Sequence, residues 1–94
     1  MRIGEIIWLD AIIEKLAVKY RVGPDEVEDV LCNKPKFRFV EKGDRTGEDV
    51  YLALGRTNAG RYLTVLFIYK PSAQVFILSA RDMVNKERKL YARK

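Results

Sequence analysis

Histidine is absent from the 94-residue chain, and cysteine occurs once, as Cys32. Without histidine there is no Ser-His-Asp or Cys-His relay, no imidazole metal ligand, and no side chain that titrates near neutral pH when unperturbed. A lone cysteine excludes an intrachain disulfide and a cysteine-built zinc site. No metal or cofactor is therefore expected, and any catalysis must rest on arginine, lysine, tyrosine and carboxylates. Long hydrophobic runs are missing as well. The longest, Tyr62 to Tyr69, is interrupted by Thr64 and falls far short of the roughly 18 residues that a membrane span needs. No membrane association is expected. Met1-Arg2-Ile3-Gly4-Glu5 lacks the apolar core and small-residue cleavage site of a secretory signal, so the expected compartment is the cytoplasm.

What is present is an ordinary globular composition, 48% apolar and 33% charged, sufficient for one modest core spanning residues 1–94 as a single domain. The formal net charge is +5, unevenly placed. Asp25, Glu26, Glu28 and Asp29 form one acidic patch. Lys34, Lys36, Arg38, Lys42 and Arg45 form a basic cluster, and Lys86, Arg88, Lys89, Arg93 and Lys94 a second. Such a surface suits nucleic acid or an acidic protein, and nothing in it excludes a homo-oligomer.

Leu9, Ile12, Ile13, Leu16, Ala17 and Tyr20 recur at three- and four-residue steps, which predicts a helix from residue 8 or 10 to 21, with Ile6-Ile7-Trp8 as either a short strand or its first turn. Pro24 opens a second helix, with Asp25 and Glu26 complementing its positive end, Val27, Val30 and Leu31 as its buried stripe, Glu28 and Asp29 facing out, and Asn33-Lys34-Pro35 ending it. Cys32, near that end, is expected to be a small buried hydrophobe. From Lys36 the period becomes two. Four strands follow, separated by the polar turn Glu41 to Gly47, by Thr57-Asn58-Ala59-Gly60 and by Lys70-Pro71-Ser72-Ala73. Asp82 is the expected N-cap of a last helix. The expected fold is α+β: two N-terminal helices, a four-stranded antiparallel sheet and a C-terminal helix, with the helices on one face.

Strict alternation puts Arg56 on a face with Val50, Leu52 and Leu54, and Arg81 on a face with Val75, Ile77 and Ser79. Arg61 opens the central strand. Glu87 falls on the apolar side of the last helix, beside Met83, Val84, Leu90 and Tyr91. A charge there needs a partner, and Arg81 is the nearest. Either the two form an ion pair that sets how the last helix docks, or the arginines converge into a phosphate-sized pocket.

Gly55-Arg56, Gly60-Arg61-Tyr62-Leu63 and Ile77-Leu78-Ser79-Ala80-Arg81, followed by Glu87-Arg88 and Tyr91, resemble the BrnT-type toxins of bacterial toxin–antitoxin pairs, from Trp8 through Tyr91. The resemblance implies a RelE-like ribonuclease fold, metal-independent RNA cleavage by 2′-hydroxyl attack, and a ribbon-helix-helix antitoxin as partner. By position it implies Arg81, Arg61 and Arg56 as charge stabilisers and Glu87, if its pKa is raised, as base, with Tyr91 or Lys19 as the alternatives. Arg88, Lys19, Tyr91 and Lys86 are the implied RNA-binding residues. The chain departs from the family pattern in three places. It reads Lys19-Tyr20-Arg21 where the family carries Lys-His-Gly, Glu48-Asp49-Val50 where a Glu-Arg pair is usual, and Leu16 where an asparagine is customary. The expectation is therefore a divergent member lacking a titratable ring and a cation on its active face, either a metal-independent ribonuclease or a non-catalytic RNA- or protein-binding module on the same fold.

Overall fold

The structure, a computed structural model, describes residues 1–45 and 47–93; Thr46 of the polar turn and Lys94 of the C-terminal basic cluster lie outside the described residues. The elements are β1 (Glu5–Ile7), α1 (Asp10–Lys15) running directly into a π-helical turn (Leu16–Tyr20), α2 (Pro24–Cys32), β2 (Lys36–Glu41), β3 (Asp49–Arg56), β4 (Tyr62–Tyr69), β5 (Gln74–Asp82) and α3 (Asn85–Ala92).

The strands form one sheet in the order β1-β5-β4-β3-β2. From β2 to β5 it is the expected antiparallel meander. A fifth strand, β1, joins it parallel to β5 through Ile6 opposite Val75. The sheet is therefore five-stranded and mixed rather than four-stranded and antiparallel. Three residues carry no readable period, which is why Ile6-Ile7 could not be told from a helical turn.

α2 and the α1 segment pack on one face, where Leu63, Val65 and Phe67 of β4 are fully buried with Leu16, Val27 and Val30. Gly55 permits the close approach of α2: a Cβ there would stand 2.9 Å from the Val30 side chain. The π-helical turn ends at Arg21, which takes a left-handed conformation (φ 54°), and the Val22 N–H donates to the Leu16 carbonyl at 3.1 Å. Its wider turn moves the apolar stripe, leaving Ala17 exposed beside buried Leu16, while Leu9, the extended N-cap of α1, lies outside the helix and is exposed.

α3 lies on the opposite face, so the three helices do not share one face. Its Glu87 accepts from Thr64, and its Leu90 carbonyl accepts from the Lys36 ammonium at 3.2 Å. The α3 N-cap is Val84 rather than Asp82, which belongs to β5. Cys32 is exposed, not buried, because the α2 stripe of Val27, Val30 and Leu31 turns the other way. Asp29 does not face out freely either, since it accepts from the Asn58 backbone and side chain at the β3–β4 turn.

Candidate RNA-binding site

The direction of Arg81 follows from an irregularity in β5. Phe67 pairs with Ile77 but Leu66 pairs with Ser79, so Leu78 is an extra residue and the alternation inverts. Val75 and Ile77 (0% and 2% exposed) face α1 and α2, whereas Ser79 and Arg81 face α3. The expected common face of Arg81 with Val75 and Ile77 is thus corrected: the bulge aims Arg81 at the helix that carries Glu87.

There the two side chains meet end to end. Arg81 Nη1 donates to Glu87 Oε1 at 2.7 Å and Nη2 to Oε2 at 2.8 Å. Glu87 also accepts from the Val84 N–H (3.0 Å), capping α3 from its third position, and from the buried Thr64 hydroxyl (2.9 Å). The Arg81 guanidinium and these donors hold the Glu87 carboxyl down to about 2. A base role required the opposite shift. Glu87 is instead a fixed anion that orients Arg81, and sequence reasoning missed Thr64, whose only signal was a hydroxyl inside an apolar strand.

Arg81 is not consumed by this pair. Of its five N–H donors, two go to Glu87 and one to the Asp82 carbonyl. Nε and the second Nη2 hydrogen have no partner among the described residues. Around it on the same face stand Tyr62, with the guanidinium of Arg88 at 4.1 Å and that of Arg56 at 5.0 Å from its ring centroid, and Tyr91, edge-on to Tyr62 at 5.9 Å. Arg56 and Arg88 form no ion pair among the described residues.

Arg61 does not join this group. On the α2 side of the sheet its guanidinium donates through Nε and Nη2 to Asp82, through Nη1 to Glu26 and the Arg21 carbonyl, and through Nη2 to the Tyr20 carbonyl. Every donor is occupied, and the flanking carboxylates push its pKa upward while Arg61 holds Asp82 below the usual carboxylate value. Lys19 lies over the Tyr20 ring at 5.3 Å. Lys86 is exposed in the first turn of α3 with no side-chain partner among the described residues. A cleft of about 740 Å³, lined in part by Ile3, Ile6, Leu31 and Phe37, belongs to the α2 face and contains no arginine. No helix among the described residues is long and apolar enough to cross a membrane.

No family model matches the chain, and no curated protein sequence does. A solved structure does match: that of the Brucella abortus ribonuclease toxin BrnT aligns with a TM-score of 0.63, over 86% of this chain and 97% of its own, at 19% identity. The fold is BrnT-like. At this identity the likeness concerns the path of the chain and the place of its elements. At Lys19-Tyr20-Arg21, where the sequence departs from the family pattern, Arg21 itself takes the left-handed conformation that ends the π-helical turn.

Proposed function

We propose that this chain is the RNA-engaging component of a BrnT-like toxin–antitoxin pair, and that its arginine cluster holds a backbone phosphate for attack by the adjacent 2′-hydroxyl. The observation that carries the reading is that Arg81 is fixed by Glu87 while two of its donors stay open, beside two further arginines that have no carboxylate. Guanidinium forks match phosphate oxygens, and Tyr62 and Tyr91 supply ring surface beside them. In the cleavage step the 2′-oxygen bonds to phosphorus, its proton leaves to a base, and the 5′-oxygen departs with a proton to give a 2′,3′-cyclic phosphate. Arg81, with Arg56 and Arg88, would stabilise the extra negative charge of the phosphorane. Arg61, with no donor open, acts as a structural clamp in this reading. A ribbon-helix-helix antitoxin is the partner that the pair implies.

A second reading, RNA binding without cleavage, is favoured by one observation. Glu87, the carboxylate nearest the guanidinium, is held near pKa 2 and is a poor proton acceptor at neutral pH. Incubating labelled RNA with the protein in EDTA, beside Arg81→Ala, separates the two. Fragments from the wild type alone support cleavage; a mobility shift without fragments supports binding only; the absence of both removes RNA from the reading.

A further inference from the structure

Arg81, Thr64, Leu54 and Lys36 are successive cross-strand partners on β5, β4, β3 and β2, so they make one row across the sheet on the α3 face. Neighbouring strands stand about 4.8 Å apart, which puts the Lys36 backbone about 14 Å from that of Arg81. α3 lies over this row. Glu87 meets Arg81 and Thr64 at one end, and the Leu90 carbonyl meets the Lys36 ammonium at the other. At that far end a cleft of about 350 Å³ opens between β2 and the end of α3, lined by Lys36, Phe37, Arg38, Leu54, Leu90 and Arg93. Three of these residues are cations and none is an anion. The cleft on the α2 face, by contrast, sets Lys34 against Glu5 and Glu28.

The three cations are open to a ligand. Arg38 and Arg93 are exposed, and none of the three has a carboxylate partner among the described residues. Lys36 keeps two of its three ammonium hydrogens after donating to Leu90. A helix C-terminus by itself repels anions, but here the Leu90 carbonyl is already taken by Lys36 and by the Arg93 N–H at 3.3 Å. Along α3 the only acidic side chain, Glu87, is bound by Arg81. Lys86, Lys89 and the C-cap Arg93 follow at three- and four-residue steps, all exposed, and so mark a cationic stripe from the Arg81 end to the cleft. We infer that the cleft at the C-terminal end of α3 holds a second backbone phosphate of a single RNA strand, bound by Arg38 and Arg93 beside Lys36, with Lys86 and Lys89 tracking the backbone between the two positions. The inference rests on RNA as the ligand of the Arg81 cluster and makes that ligand a strand long enough to pass along α3. A short fragment fills one position only.

The test measures binding of 2′-O-methyl RNA, whose blocked hydroxyl prevents cleavage, by fluorescence anisotropy over a range of salt concentrations. A trinucleotide is compared with a strand several times longer, on wild type, on Arg81→Ala, on Arg38→Ala with Arg93→Ala, and on a charge-matched control, Lys15→Ala with Lys34→Ala, on the α2 side. Circular dichroism checks the fold of each variant. Arg38→Ala with Arg93→Ala is expected to weaken the long strand at least tenfold, to lower the slope of log K against log salt by about 0.7 for the phosphate lost, and to leave the trinucleotide within twofold of wild type. Arg81→Ala should weaken both ligands, and the control should change neither by more than twofold. Long-strand affinity and slope unchanged in Arg38→Ala with Arg93→Ala, while Arg81→Ala still loses binding, would overturn the inference and leave RNA at the arginine cluster standing. Equal losses on the short and long strands, or an equal loss in the control, would also overturn it, since the cations would then act through net charge alone. No binding of either RNA by wild type would remove RNA from both positions.

Discussion

Two arginines stand at the same end of the sheet, and each holds the third-position glutamate of a helix: Arg61 holds Glu26 of α2 on one face, and Arg81 holds Glu87 of α3 on the other. Both glutamates also accept the N-cap backbone N–H, from Gly23 and from Val84. The local chemistry is the same and the outcome differs. Arg61 receives Asp82 and two backbone carbonyls in addition and has nothing left to offer, whereas Arg81 keeps two donors and two arginine neighbours. An arginine–carboxylate pair is therefore not by itself a mark of structure or of function. What decides is how many of the five donors remain after the pair has formed.

The sharpest way to break the comparison is to remove each arginine in turn. Arg81→Ala is expected to lower RNA cleavage by about 100- to 1000-fold, the usual cost of deleting one charge-stabilising donor, with the far-ultraviolet spectrum preserved. If the protein only binds, the loss appears as weaker retention in a mobility shift. Arg61→Ala should do the reverse. It leaves Glu26 and Asp82 without their shared cation and the Tyr20 and Arg21 carbonyls without a donor, a loss of about 2 kcal/mol for groups that keep some contact with water. Urea denaturation reads this directly. RNA affinity of the folded Arg61→Ala protein equal to wild type would support the division, and equal stability of the two variants would remove it.

Acid separates the two pairs more finely. The folded-state pKa of Glu87 is depressed from 4.5 to about 2, so its contribution to stability is fully present above pH 4.5 and is lost as the pH falls towards 2. Asp82 is depressed by Arg61 and loses its contribution in the same direction. Glu87→Gln should cost about 1 kcal/mol at neutral pH, and the difference from wild type should shrink through that window, while the part due to Asp82 persists in both proteins. A constant difference from pH 6 to pH 2 in denaturation midpoints would show that the Glu87 charge is not what holds α3.

The sequence made the Arg81–Glu87 pair legible because helical spacing fixes which side of α3 Glu87 occupies, and an apolar side demands a partner for a charge. It also aligned Arg56 correctly with Leu54 and Leu52, since β3 pairs with β4 without interruption. It misjudged the face of Arg81 because period-two reading assumes an unbroken strand, and no residue in Ile77-Leu78-Ser79 announces a bulge. It grouped Arg61 with the site because one strand cannot reveal that the residue preceding it will be met by Glu26, Asp82 and two carbonyls from distant elements. Arg88 was readable as a cation, but its stacking on Tyr62 depends on α3 crossing the face opposite to the other helices, which periodicity does not encode.

The smallest effect concerns how the Arg61 clamp is presented. The Tyr20 and Arg21 carbonyls that it binds belong to the turn closing the π-helical segment, and Arg21 holds that turn at φ 54°. A residue with a Cβ gives up about 1–2 kcal/mol there, whereas glycine adopts the conformation freely but loses about 0.4–1 kcal/mol through its more flexible unfolded state. Arg21→Gly should therefore stabilise the protein by about 0.5 kcal/mol, seen as a slightly higher urea midpoint with an unchanged slope. Because the carbonyls stay where they are, the gain should vanish neither at low pH nor at high salt. Destabilisation would mean instead that the exposed Arg21 side chain contributes an interaction larger than its backbone strain.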